Sequence, residues 1–287
     1  MDKKLLKKGF LEATAITRKY ARSFYLASHL LPRGKRQAAY AIYAICRLSD
    51  NSVDDFRGEL KSARLNDIKL KISLSYRSSE LREPLLMAFR HTILKYQIPQ
   101  ELFDILLNGM EMDINITAYK TFTEIYDYCF KVAGVVGLIM LKIFGCASKE
   151  AEQYAIDLGV AMQLTNILRD IKEDYGLGRI YLPVDELNNF AVTKEDLALG
   201  KINQNFIGLL KFHIKRARDY YERSSPGIRL IKGIRPRLTV CIMKGLYSEI
   251  LTEIERRNYD VFYHRVHVNS CRKLFIIIKT AAAGKYF

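Results

Sequence analysis

The chain has 287 residues, 49% of them hydrophobic and 27% charged, and at that length about three quarters of the unfolded surface can be buried. A large apolar core is therefore available, and a disordered or fibrous chain is excluded. The net charge of +15 favours anionic partners such as phosphorylated substrates or an acidic membrane face, while the scattered basic residues, without a zinc-finger or RNP-like pattern, speak against a nucleic-acid module.

Helical periodicity dominates, and bounded period-2 runs are scarce. Helices are predicted over 10–30, 34–56, 61–76, 80–96, 99–117, 122–145, 149–175, 202–223, 227–232 and 235–258, with a last one after about 261. The breaks fall at Leu31-Pro32-Arg33-Gly34, before Pro84 and Pro99, at Gly176-Leu177-Gly178 and at Ser225-Pro226-Gly227, where proline and glycine interrupt the helical pattern. With no linker and no fixed-period repeat, one all-α domain over 1–287 is expected. Residues 38–49 (AAYAIYAICRLS) and 156–168 (IDLGVAMQLTNIL) are apolar on nearly every side, which predicts central helices surrounded by others. Gly134 and Gly137 lie inside an apolar helical pattern, as for a close helix approach or a kink beside a cavity.

Five cysteines, an odd number without CxxC spacing, read as reduced thiols of a cytoplasmic protein. The N-terminus has no apolar stretch of signal-peptide length. The segment from Leu274 to Ala283 is interrupted by Lys279 and is too short to span a bilayer. With Arg272, Lys273, Lys279 and Lys285 around it, it has the make-up of a segment lying on a membrane surface, against the plainer reading of a terminal helix packed on the core.

Polar groups are embedded in the two central helices. Tyr43, Arg47, Asp50 and Asp54 stand at i, i+4, i+7 and i+11, and Gln163, Asn166, Asp170 and Asp174 at i, i+3, i+7 and i+11, so each set forms one stripe on one helix face. Acidic residues at such spacing are ordinarily a solvated face. Here the stripes continue from buried helices, where an unpartnered carboxylate is strongly unfavourable, and Arg47 cannot neutralise five such groups. Hard divalent cations can, since Mg²⁺ prefers oxygen ligands and shares its shell with substrate phosphates. His264 and His267 lack acidic or cysteine companions and read as ordinary residues. There is no GxSxG elbow, P-loop or Rossmann GxGxxG.

Residues 156–183, IDLGVAMQLTNILRDIKEDYGLGRIYLP, closely resemble the second aspartate-rich signature of the squalene/phytoene synthase family, and AIYAICRLSDNSVDD at 41–55 resembles the first. ARSFYLASHLLP at 21–32, GMEMD at 109–113, YCFKVAGVVG at 128–137 and YSEILTEIERRNYDVFYHRV at 247–266 are similar to further family segments in the expected order. The resemblance covers most of the chain. It implies a helical bundle around a central apolar cavity and a head-to-head (1′–1) joining of two identical prenyl diphosphates, C15 or C20, through a cyclopropylcarbinyl diphosphate. It also implies that Asp50, Asp54, Asn166, Asp170 and Asp174 hold two or three Mg²⁺ ions with the substrate diphosphate. The four aspartates are then catalytic, and Arg22, Ser23, Tyr43, Arg47, Gln163, Arg169, Tyr247 and Arg265 bind the substrate.

Phe24, Tyr43 and Phe130 are candidates for the cavity wall, where ring faces would stabilise positive charge. Asn51, Ala21 and Ser28 depart from the pattern of many relatives and leave the product open. A phytoene- or dehydrosqualene-type synthase of carotenoid biosynthesis is the reading the motifs favour. A squalene or presqualene diphosphate synthase is the nearest alternative, and the lack of a nucleotide-binding signature does not decide NADPH use. A head-to-tail prenyltransferase or terpene cyclase fits less well, because DNSVD and NILRD stand where DDxxD would. A non-enzymatic basic helical protein that binds membranes would leave the acidic stripes without a purpose.

Overall fold

The structure, a computed structural model, describes residues 2–54, 59–78 and 81–282. Among these the helices run α1 Lys3–Tyr20, α2 Arg22–Ala27, α3 Arg33–Asp54, α4 Glu59–Arg77, α5 Pro84–Lys95, α6 Gln100–Asn115, α7 Phe122–Cys129 and α8 Val135–Phe144. They continue as α9 Ala151–Arg169, α10 Ile171–Gly176, α11 Val184–Asn189, α12 Lys194–Ala198, α13 Gln204–Ser224, α14 Ile234–Arg256 and α15 Ser270–Ala282. Extended pairing among the described residues is limited to the isolated bridges Ala118–Ile180 and Cys146–Ile231. The all-α expectation holds.

Several predicted helices are divided. The one predicted over 10–30 starts earlier, at Lys3, because the Asp2 carboxylate caps it by accepting from the Lys4 and Leu5 amides at 2.7 and 3.3 Å. It then breaks at Ala21, whose backbone leaves the helical region at φ −131°, ψ 60°. The helix predicted over 122–145 passes through a π-helical turn at Phe130–Gly134, and the one over 149–175 breaks at Asp170, at φ −105°, ψ 17°. The predicted 227–232 helix is a 3₁₀ segment, Ser225–Leu230. Two short helices, α11 and α12, occupy the stretch after Gly178 where none was expected; Thr193 and Asp196 form a capping box on α12.

The two all-apolar segments are central. Helix α9 packs on α8, α13 and α14, and α3 on α1, α4, α5, α6 and α8. Each anchors one of two buried clusters, Leu164, Leu168, Phe206, Leu210 and Ile250 around α9, and Ile42, Ile45, Phe89, Phe103 and Ile139 around α3. Helices α8 and α9 cross at very short range. A Cβ on Gly137 would lie 2.3 Å from the Ala155 carbonyl oxygen, and one on Gly159 would lie 2.4 Å from that of Ala133. The expected close approach is thus real, and the π turn beside it marks the wall of a cavity.

Candidate active site

Between the two clusters lies a cavity of about 320 Å³. The π turn and α8 give it Val132, Ala133, Val136, Gly137 and Met140; α9 gives Ala155, Leu158, Gly159 and Met162; α14 gives Val240 and Met243. Phe24 and Tyr43 belong to its wall, as the sequence predicts. Phe130 does not: the π turn rotates Val132 and Ala133 toward the space, while the Phe130 ring packs with the α3 cluster. The lining is almost wholly apolar, and its polar side chains include Tyr43, Asn166 and Tyr247. Those three come from α3, α9 and α14, so one member of each predicted stripe, Tyr43 and Asn166, lines the cavity, while the aspartates are not among its lining residues.

On α3, the Tyr43 hydroxyl is held protonated: burial raises its pKa, the nearby Arg47 opposes this, and Tyr247, Asp50 and Cys46 add to it. Cys46, also in the wall, is kept as the thiol by burial and the neighbouring Asp50. The Arg47 guanidinium lies over the Tyr20 ring at 4.8 Å, a contact no sequence pattern signalled. Its Nε and the Asn51 Oδ1 are buried without a hydrogen-bond partner. Asp50 is half-buried on the same face. Asp54 closes α3, and its side chain lies outside the described residues.

On α9, Asn166 donates to the Gln163 side chain at 3.3 Å, which leaves its own Oδ1 buried and without a partner. Asp170, at the helix break, accepts from two arginines. Arg169 Nε lies at 2.7 Å and pairs further through its Nη2, and Arg265 donates through Nε and Nη2 at 2.8 and 2.9 Å. Burial works to raise the Asp170 pKa, and the hydrogen bonds from Arg169 and Arg265 outweigh it and hold the carboxylate below its ordinary range. Arg265, expected at the diphosphate, pairs with Asp170 in this structure. The break also ends the predicted stripe, and Asp174 lies on α10 in a small internal space with Ile167, Ile171 and Arg179. Arg22 is exposed and Ser23 half-buried at the start of α2, beside the wall residues Ala21 and Phe24.

A second cluster, also unforeseen, braces the segment after α10. The Asp113 carboxylate accepts from Tyr181 at 2.6 Å and Tyr128 at 3.1 Å, and Arg179 Nε donates to the Asp113 carbonyl at 3.2 Å. The GMEMD run therefore ends in a carboxylate that ties α6 to α7 and to the chain beyond Asp174.

Among the described residues, no three His, Cys, Asp or Glu side chains converge as a ready-made metal site. The donor types nevertheless fit a hard cation. They are oxygens throughout, and the orphaned Asn166 Oδ1 is a buried acceptor in the wall of a mostly apolar cavity.

The sequence model of squalene/phytoene synthase matches residues 17–272. The 15-cis-phytoene synthase of Synechococcus elongatus is 37% identical over 94% of this chain and 91% of its own length. The phytoene synthase of Arthrospira platensis is 37% identical over 91% and 89%. A crystal structure of a dehydrosqualene synthase in complex with ligand superposes with a TM-score of 0.92 at 29% identity, covering 98% of both chains.

Proposed function

The chain belongs to the squalene/phytoene synthase family, whose enzymes are prenyltransferases that condense prenyl diphosphates, and on that footing we propose that it joins two C20 diphosphates head to head to give phytoene. The observation that carries the proposal is the mostly apolar cavity, whose wall includes Tyr43, Asn166 and Tyr247 from three different helices. A prenyl chain fits such a space by burial of its hydrocarbon. The C20 substrate follows from the phytoene synthases among the relatives, and a C15 pair giving dehydrosqualene is the second reading, favoured by the structural neighbour.

In the first step one substrate loses diphosphate from C1, leaving an allylic cation. The 2,3 double bond of the other attacks it, and loss of a proton from that C1 closes the cyclopropane. A second loss of diphosphate and ring rearrangement give a cation at the new central bond, and loss of a second proton leaves a double bond there. No reductant enters that balance, whereas squalene formation would require hydride.

The chain's residues divide this work. The apolar wall excludes water that would capture a cation, and burial keeps Cys46 as a thiol rather than a competing thiolate. Tyr43 is held as a neutral donor beside Asp50. Arg47 and Arg169 supply positive charge where diphosphate departs, and Arg22, Ser23, Gln163 and Tyr247 complete the polar end. Asp50, Asp54, Asn166, Asp170 and Asp174 would hold Mg²⁺, which stabilises negative charge on a leaving diphosphate. Asp170 is brought to that task already ionised. Members of the family use a divalent metal with diphosphate substrates. No helix among the described residues is long and apolar enough to cross a membrane, and a cytoplasmic enzyme working at a membrane face is the setting proposed.

Incubation with Mg²⁺ and C20 or C15 diphosphate, with and without NADPH, tests the assignment by product analysis. Phytoene from the C20 substrate, unaffected by NADPH, is expected. Squalene formed only with NADPH would move the chain to the squalene branch, and consumption of neither substrate would overturn the proposal.

A further inference from the structure

The outer face of α15 is apolar where solvent-facing helices are normally polar. Leu274, Phe275 and Ile278 are 59%, 51% and 58% exposed, and Cys271, Ala281 and Ala282 are exposed beside them. The spacing 271, 274/275, 278, 281/282 makes one stripe on the side away from the bundle. That orientation is fixed from beneath. Ile276 is buried against α14, where a Cβ added to Gly245 would lie 3.0 Å from its Cγ2. Arg272 donates to Glu249 of α14 at 2.7 and 3.3 Å.

Charge identifies what covers the stripe. After Asp260 the chain carries no aspartate or glutamate, while Arg265, Arg272, Lys273, Lys279 and Lys285 all lie there. Lys273 is partly buried near Arg22 of α2, so the basic flank reaches the segment that supplies Ala21 and Phe24 to the cavity. A second copy of the chain would set one basic tail against another. An anionic bilayer surface complements both features, with apolar side chains entering the acyl boundary and basic ones meeting the headgroups.

We infer that α15 is an interfacial helix that docks the enzyme on an anionic membrane through Leu274, Phe275 and Ile278, beside the cavity from which an apolar product leaves. That purpose rests on the proposed reaction, but the docking is measured without turnover, so the two fail separately. The chain contains no tryptophan, so Phe275→Trp gives a single tryptophan that can be excited selectively over the tyrosines. Its emission should shift to the blue on phosphatidylcholine–phosphatidylglycerol vesicles and not on phosphatidylcholine alone, with the shift reversed by high salt. The unsubstituted chain should co-float with the anionic vesicles. A Leu274→Ser/Ile278→Ser double variant should bind them roughly tenfold or more weakly, with unchanged helical circular dichroism and unchanged activity on detergent-dispersed substrate. Absence of co-flotation by the unsubstituted chain, or equal binding by the serine variant, would overturn the inference. So would a dimer that sediments as such and is lost in that variant without any vesicle binding, since the face would then belong to a second copy.

Discussion

Two side chains of the second acidic motif are set apart by their surroundings. Asn166 turns an unpartnered buried oxygen toward the cavity, and Asp170 is an ionised carboxylate shared by Arg169 and Arg265. Asp170→Asn keeps the shape and removes the charge, and should lower kcat/KM by ~10² or more with helical content unchanged; steady-state kinetics beside circular dichroism check it. Asn166→Leu should raise the Mg²⁺ concentration needed for half-maximal rate, read from a metal titration of activity. Both residues were legible in the sequence because a polar group on a helix apolar all round has few innocent explanations. Arg265 as the partner of Asp170 was not, since the two are 95 positions apart and only the folded chain brings them together. Tyr20 beneath Arg47 was hidden for the same reason.

At the scale of elements, the central placement of α3 and α9 could be read from their uniform apolarity, whereas their interruptions could not. Neither Ala21 nor Asp170 is a glycine or proline, so no helix-breaking residue marks these breaks in the sequence. The α8–α9 crossing depends on missing side chains: Gly137→Ala would push a methyl into the Ala155 carbonyl and should cost about 1–3 kcal/mol, measured by chemical denaturation, with loss of cavity shape. Far from the cavity, Glu186 of α11 is 8% exposed and accepts from Arg216 of α13 at 2.9 and 2.6 Å, with His213 Nε2 at 3.1 Å. Burial would raise the Glu186 pKa, but the adjacent His213 and the hydrogen bonds from Arg216 hold it down to about 2. Its folded value lies below its unfolded one, so the stability it contributes is complete above the ordinary carboxylate range and is lost as pH falls from there toward about 2. Arg216→Ala should destabilise the chain by ~3 kcal/mol at neutral pH by leaving a buried charge, and denaturation curves at descending pH should show a shallower acid loss in that variant.

At the scale of the whole molecule, the sequence alone could announce helices and acidic stripes but no cavity. A cavity is a relation among α2, α3, α8, α9 and α14, and periodicity within each says nothing of the space between them. The resemblance to the squalene/phytoene synthases supplied it, and the folded chain has a mostly apolar cavity with Tyr43, Asn166 and Tyr247 in its wall. The α15 stripe is a second property of the assembled surface: the sequence showed an apolar run, and only packing revealed that its apolar side faces outward. Together these carry the proposal of an enzyme that ionises two diphosphates in an apolar chamber, with α15 inferred to face lipid. The stoichiometry of diphosphate release tests this most directly. Two diphosphates should appear per phytoene formed from the C20 substrate, with release abolished by chelation and in Asp50→Asn. Release of one diphosphate per product, or release that persists in both conditions, would contradict it.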